Sequence, residues 1–224
     1  MPRVKIWDLP TRVFHWMLFI LVVAAVVTEN LGGNAMEWHG RIGLAILGLV
    51  SFRISWGFVG STYARFGHFL RGPRTLRAYL RGEWQGLGHN PLGAWAVLAL
   101  LLLLLTQALT GLFANDDIAF NGPLYDLVGK ALSDRLRGLH AISAYLLMSL
   151  VSLHILAILY YRKVKRQNLV TPMLTGWIEA EGEPSRGGGI VAFIVSTLIA
   201  ILVVYAASGA LLPPPPPTAA PAAW

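Results

Sequence analysis

The amino-acid sequence predicts an all-α membrane protein, with a bundle of four transmembrane helices followed by a fifth, C-terminal transmembrane helix. Of the 224 residues, 55% are hydrophobic and only 13% are charged, and the mean hydropathy is +0.59. This composition is typical of polytopic membrane proteins and excludes an ordinary soluble domain. Five apolar runs are long enough to cross a bilayer: residues 11–29, 38–59, 91–113, 137–161 and 189–212.

Cysteine is absent from the chain. Its absence excludes disulfides, thiolate metal sites, iron–sulfur clusters with cysteine ligands and covalently attached c-type haem. The net charge of +7 is explained by Arg and Lys in cytoplasmic loops, so we expect membrane lipid and no nucleic acid as a partner. Any cofactor must therefore be held without thiols.

The first two spans each carry one histidine near their start. The first span follows Asp8, which is expected to cap the helix, and contains His15. The second is preceded by Asn34 and Glu37, which are spaced as a capping pair, and contains His39.

The remaining chain alternates basic linkers with apolar spans. Residues 60–90 form a basic linker in which Pro73 is expected to start a short amphipathic helix at the membrane surface. Asn90 caps a third span of Leu and Ala that is expected to be scaffold. The predicted organisation is a bundle over residues 1–177, a linker over 178–188, the additional helix over 189–212 and an extended Pro/Ala-rich tail over 213–224.

Loop charges predict the orientation of the chain. The N-terminus, the 60–90 linker and the 162–166 cluster carry most of the Arg and Lys, whereas the 114–136 loop begins with acidic residues. Basic loops stay in the cytoplasm, so the N-terminus is predicted to be cytoplasmic and the C-terminus to lie on the other side.

The fourth span contains His140 and His154, fourteen residues apart. In a helix they lie on nearly the same face and about 21 Å apart along the axis. The charge-derived orientation places His39 at the depth of His140, near the outer face, and His15 at the depth of His154, nearer the cytoplasm. Neutral imidazole is a good axial ligand of haem iron, and two such ligands leave no open position. The four histidines are therefore candidate iron ligands of two stacked haems within the four-helix bundle, paired His39/His140 and His15/His154.

Other polar residues have a functional and a purely structural interpretation. An intramembrane histidine can simply hydrogen-bond a neighbouring helix. Three arginines lie near span ends: Arg41, Arg53 and Arg137. Each is a candidate partner of a haem propionate. Alternatively, each extends its guanidinium group to the membrane–water interface without a functional role. His68 and His89 fall in the basic linker, where surface or capping roles are expected.

Two further expectations concern polar groups near the fourth span. Ser143, Ser149 and Ser152 are candidate hydrogen-bond partners of the ligand imidazoles. Asp116 and Asp117 form either a docking patch for a basic partner or an ordinary solvated acidic loop.

Several segments together resemble the bacterial cytochrome b561 family, and more narrowly its branch related to the b-type cytochrome subunit of nickel–iron hydrogenases. The resemblance covers about residues 1–177. It rests on Trp7-Asp-Leu-Pro-Thr-Arg-Val-Phe-His15-Trp16, Trp38-His39-Gly40, Arg71-Gly-Pro73, Gly88-His-Asn-Pro91, Leu109-Thr-Gly-Leu-Phe-Ala-Asn-Asp-Asp117, and the fourth span with its two histidines.

The resemblance implies a four-helix bundle in the bacterial inner membrane that binds two b haems through the first, second and fourth helices. It also implies electron exchange between the quinone pool and a periplasmic partner, such as a c-type cytochrome or a hydrogenase-like protein. We therefore expect an electron-transfer protein of a respiratory chain, or a subunit of an oxidoreductase. Two alternatives are a stand-alone quinol or superoxide oxidoreductase, and a non-redox transporter or assembly factor whose histidines bind a metal or protons.

Overall fold

The computed structural model describes residues 2–118 and 120–213, and five of its helices are long and apolar enough to cross a membrane. These are Leu9–Leu31 (α1), Ala35–Val59 (α2), Pro91–Gly111 (α5), Gly129–Lys163 (α6) and Gly189–Ala207 (α8). Shorter elements are the helices Phe66–Phe69 (α3), Pro73–Leu80 (α4) and Val170–Thr175 (α7), the 3-10 turns Thr62–Ala64 and Tyr125–Leu127, and the strands Arg3–Lys5 (β1) and Trp177–Glu179 (β2). The prediction of a multi-pass helical membrane protein is confirmed. Of the predicted Pro/Ala-rich tail, residues 214–224 lie outside the described residues.

Two of the three predicted helix caps are present. The Asp8 carboxylate accepts a hydrogen bond from the Thr11 amide at 2.7 Å, and the Asn90 side chain accepts one from the Gly93 amide at 2.7 Å. Each bond satisfies an amide that has no partner inside the helix.

The predicted cap at Asn34 is wrong. Gly32 and Gly33 adopt positive φ, and their carbonyls accept hydrogen bonds from the amides of Ala35 and Met36. Asn34 is therefore already in helical conformation, and its side chain makes no capping bond.

Helix α6 is longer than the apolar run predicts, since it begins at Gly129 instead of near residue 137. Its polar first turns pack against the preceding loop. Ser133 donates a hydrogen bond to the Phe113 carbonyl at 2.6 Å, and Asn115 donates to Ser133 at 2.7 Å and to Asp134 at 3.0 Å. These contacts stabilise a helical segment that hydropathy alone assigns to a loop.

Helix α2 is central to the bundle, because it packs against α1, α5 and α8. Helix α6 packs along α5, whereas its Cα atoms stay more than 8 Å from nearly all those of α1 and α2. A core cluster centred on Ile46, Val50, Leu104 and Leu147 lies between the helices.

Helix α8 lies against the outer side of α2. Gly48 allows this approach, because a Cβ atom at that position would lie 2.9 Å from Cγ2 of Val204. Nearer the start of α8, Phe193 packs edge-on against Phe52 and Trp56, with ring centroids 5.8 and 6.4 Å away.

The segment 173–187, here called the strap, crosses one end of the bundle. Strand β2 in the strap pairs antiparallel with β1 at the N-terminus, with Val4 opposite Ile178. Tyr63 of the basic linker donates a hydrogen bond to the Glu183 carbonyl at 2.7 Å, and the Trp16 indole donates to the Met173 carbonyl at 3.2 Å. The N-terminus, the 60–90 linker and the strap thus meet at one end, here called the basic end.

Replacing Gly48 with Leu is expected to destabilise the protein by about 1–3 kcal/mol, the usual range for overpacking. The added side chain would meet Val204 and separate α8 from α2. Thermal unfolding in detergent, followed by tryptophan fluorescence, measures the change. Ala45→Leu is the matched control, because Ala45 is exposed on the same helix. Equal melting temperatures for the two variants would contradict the packing described.

Two histidine pairs between the helices

The four intramembrane histidines lie in two pairs across the space between α6 and the first two helices. The ring centroids of His15 and His154 are 6.5 Å apart, and those of His39 and His140 are 6.2 Å apart. These are the same two pairs that the charge-derived orientation predicts. Because His140 and His154 share one helix, the pairs are separated by about 21 Å along its axis.

The spacing of each pair matches a metal ion between two rings. Two metal–nitrogen bonds of about 2 Å and two ring radii of about 1 Å set the centroids roughly 6 Å apart. The backbones of α6 and of α1 and α2 are also held apart, with side chains packed between them. Two imidazoles that face each other between apolar helices suit a flat macrocycle that takes one axial ligand from each side. Nowhere in the described part of the chain do three or more His, Cys, Asp or Glu side chains form a group that could hold a metal ion.

Hydrogen bonds orient both rings of the pair His39/His140. Nδ1 of His39 lies 3.0 Å from the Ala25 carbonyl, and Nδ1 of His140 lies 2.9 Å from the Gln107 carbonyl. A carbonyl can only accept, so each Nδ1 carries the proton and each Nε2 presents a lone pair. This is the protonation state that metal-binding histidines adopt.

Helix α5, predicted to be scaffold only, supplies most of the contacts of His140. The Gln107 amide donates a hydrogen bond to Nε2 of His140 at 2.9 Å, on the lone pair that an iron ion would use, so Gln107 must turn away when a metal binds. The Thr110 hydroxyl lies 3.2 Å from Nδ1 of His140. Ser143, a predicted partner, reaches the ring only indirectly by donating to the Gln107 side chain, whereas Ser149 bonds to the Tyr145 carbonyl. The sequence does contain a sign of this role. Gln107 and Thr110 are polar residues in a run of Leu and Ala, and such residues in a membrane span often hydrogen-bond a neighbouring helix.

The rings of His15 and His154 have fewer hydrogen-bond partners than those of His39 and His140. Nδ1 of His15 is shielded from solvent and has no hydrogen-bond partner among the described residues. The His15 ring instead packs edge-on against Trp16, with centroids 5.2 Å apart.

The three candidate arginines have different surroundings. Arg41 is exposed, pairs with Glu37 at 3.4 Å and lies over the Trp38 ring. Arg137 forms an ion pair with Asp117. Arg53 is buried, at 3% exposure, and its Nη1 atom has no hydrogen-bond partner in the described part of the chain.

His89 is half-buried, although its position in the linker suggests a surface role. Its ring packs between Trp7 and Phe69, with centroid distances of 4.6 and 4.7 Å, and its Nδ1 atom is buried. One side of the residue borders a cleft of about 260 Å³ that His68 also lines. Burial and the nearby charge of Arg53 lower the pKa of His89 to about 3, so the ring is neutral at physiological pH.

The acidic loop at the other end of the bundle is largely neutralised within the chain. Asp117 pairs with Lys130 at 2.5 Å and with Arg137, and these hydrogen bonds lower its pKa. Asp116 accepts hydrogen bonds from the amides of Ile118 and Phe120. These contacts favour an ordered loop over a free docking patch.

Comparison with known proteins gives one family. The family model described as prokaryotic cytochrome b561 matches residues 6–176, about three quarters of the chain. The match contains all four paired histidines and ends before α8. Searches of the curated proteins and of the solved structures each gave no match.

A haem held by the His39/His140 pair is expected to bind about tenfold more weakly when Gly111 is replaced with Ala, as loss of an orienting partner predicts. The new Cβ atom would lie 3.0 Å from Cε1 and 3.3 Å from Nδ1 of His140, so the ring must shift away from the Gln107 carbonyl. Titration of haem into the haem-free protein measures the affinity. Gly138→Ala is the control, because nothing lies within 4 Å of the added atom. Unchanged affinity in the Gly111 variant would refute the described role of the Nδ1 hydrogen bond.

Proposed function

Because the chain belongs to the prokaryotic cytochrome b561 family, whose members are membrane b-type cytochromes that transfer electrons, we propose that it carries electrons between two b haems across the bacterial inner membrane. The observation that carries this proposal is the pairing of four imidazoles at two depths of one bundle. His39 and His140 are the proposed ligands of one haem iron, and His15 and His154 are those of the other.

Two haems with bis-histidine ligation would supply one-electron redox couples with no open coordination position, which suits electron transfer. The residues of the chain provide the surroundings. Ala25 and Gln107 fix the tautomers of His39 and His140 through their carbonyls. The apolar spans exclude water, and the single helix α6 keeps the two sites at a constant separation.

The basic end is proposed to face the cytoplasm. It gathers the N-terminus through Arg12, the 60–90 linker and the strap, which contain nine of the 18 Arg and Lys residues, and basic segments are retained on the cytoplasmic side. The pair His15/His154 is then the inner site, and His39/His140 is the outer site, facing the periplasm.

The proposed electron path joins the quinone pool to a periplasmic redox protein, either a c-type cytochrome or a hydrogenase-like partner. The family resemblance of residues 1–177 supports this choice. Arg53, which is buried beside the inner site, is the arginine best placed to neutralise a haem propionate. Arg41 and Arg137 would have to exchange their present acidic partners to do so.

Purified wild-type protein is expected to contain two b haems per chain, and His154→Ala is expected to contain one. Removing one of two axial ligands abolishes the inner site, while the outer pair is unaffected. The pyridine haemochrome assay and the reduced-minus-oxidised spectrum measure the content. His68→Ala is the control and should retain both haems, since His68 packs against Tyr63 in the linker. A wild-type protein without a b-type spectrum, or with one haem, would defeat the proposal.

Liposomes that contain the protein are expected to reduce trapped ferricyanide when dithionite is added outside. Electrons must then cross the bilayer through both haems, because neither reagent crosses it readily. His140→Ala and His154→Ala, each lacking one haem, should fall to the rate of protein-free liposomes. Ferricyanide reduction is followed by its absorbance. Full activity of either variant would show that electrons do not pass through both sites.

A further inference from the structure

The basic end contains a buried cation, Arg53, that no carboxylate contacts directly among the described residues. Arg53 projects from α2, and its guanidinium carbon lies 5.2 Å from the Phe66 ring and 5.9 Å from the Phe69 ring. Its Nη1 atom is buried and unpaired among the described residues. Aromatic faces compensate a cation only partly, and an unpaired buried charge is costly. The unpaired Nη1 atom therefore favours a further hydrogen-bond acceptor, such as an anion.

Asp8 does not serve as that anion by direct contact. Its Oδ1 atom accepts the Thr11 amide at 2.7 Å as the cap of α1, and its Oδ2 atom accepts the Trp56 indole at 2.9 Å. No ion pair joins Asp8 and Arg53 in the described part of the chain. The Asp8 charge therefore acts on Arg53 from a distance and leaves its Nη1 atom without a direct acceptor.

His89 presents a second unpaired group beside the same aromatic ring. Phe69 contacts both the Arg53 guanidinium and the His89 ring. Nδ1 of His89 is buried and has no partner among the described residues. The ring is neutral at physiological pH, because its pKa is lowered by burial and by the charge of Arg53. A neutral imidazole carries one N–H, which can be placed on Nδ1 and donated to an anion.

These groups lie on the side of the proposed inner haem site. Trp7, just before α1, packs against His89, and the Thr11 hydroxyl, one helical turn before His15, is also buried and has no hydrogen-bond partner among the described residues. Unpaired polar atoms therefore come from α1, α2 and the linker, which meet at one place. A haem bound at this site carries two propionate carboxylates, and a carboxylate accepts hydrogen bonds from both Arg and His.

We propose that His89 is a haem-positioning residue that binds, together with Arg53, a propionate of the inner haem. His89 donates from Nδ1 and Arg53 from Nη1 to the same carboxylate. This inference rests on the proposed function, and it makes the 60–90 linker part of the inner haem site instead of a simple connection between α2 and α5. His89 is then the contact through which the linker holds the cofactor.

The test uses the full-length, haem-loaded protein and the variant His89→Phe. Phenylalanine retains the aromatic contacts with Trp7 and Phe69 and removes only the ring nitrogens. A hydrogen bond to a charged group contributes about tenfold or more to an equilibrium. We expect the midpoint potential of the inner haem to fall by about 59 mV, the one-electron equivalent of tenfold, since the propionate charge is less compensated. The outer haem should keep its potential.

Two further variants serve as a rescue and as a control for His89→Phe. His89→Gln retains an N–H donor and should restore most of the potential. His68→Phe is the matched control, because His68 lines the same cleft and packs on Tyr63 but is not near Arg53 by any described contact. Spectroelectrochemical titration assigns the two haems, with His154→Ala identifying the inner one.

A second measurement needs only the wild-type chain. Haem whose propionates are esterified should bind the inner site at least about tenfold more weakly than haem itself, because the carboxylate partner is missing. Equal binding of both haems would overturn the inference even if His89→Phe did not fold.

The outcomes separate this inference from the proposed function. Two haems with wild-type potentials in His89→Phe would overturn the role of His89 and leave the di-haem proposal intact. A changed KM for quinol with unchanged haem potentials would also overturn it, and would assign His89 to a ligand of the adjacent cleft. Fewer than two haems in the wild-type protein would instead refute the proposed function.

Discussion

The whole structure depends on polar side chains being placed in pairs inside an apolar bundle while the helices that carry them stay apart. An imidazole in a membrane span is costly unless it has a partner. Here the partner is a second imidazole, with ring centroids 6.5 Å apart for His15/His154 and 6.2 Å apart for His39/His140. The packing of α2 against α1, α5 and α8, and of α6 along α5, sets these distances.

The two histidine pairs differ in their hydrogen bonds. At His39/His140, backbone carbonyls of Ala25 and Gln107 hold both rings through bonds that need no cofactor. Near His15/His154, His15 and Arg53 have buried atoms without hydrogen-bond partners among the described residues. The first pair is thus oriented by the helices alone. The second is completed, as proposed, by the linker and the cofactor.

The apolar runs, the helical repeat and the loop charges of the sequence were enough to predict the five spans and which histidines lie next to each other. A helical repeat places His140 and His154 on one face, and loop charges set their depths. The capping bond of Asp8 also follows from local sequence. Sequence reasoning missed what depends on tertiary structure: the orientation of α5 that brings Gln107 to His140, and the fold of the linker that buries His89. The polar start of α6 was missed because its contacts are with a loop distant in sequence.

The position of α8 has a consequence for the order in which the protein assembles. Helix α2 makes its most extensive helix contact with α8, and β1 at the N-terminus pairs with β2 in the strap. Both partners follow the four histidine-bearing or scaffold spans in the sequence. During synthesis one flank of α2 and the N-terminal segment therefore lack these contacts. The bundle is completed only when the last helix docks against α2.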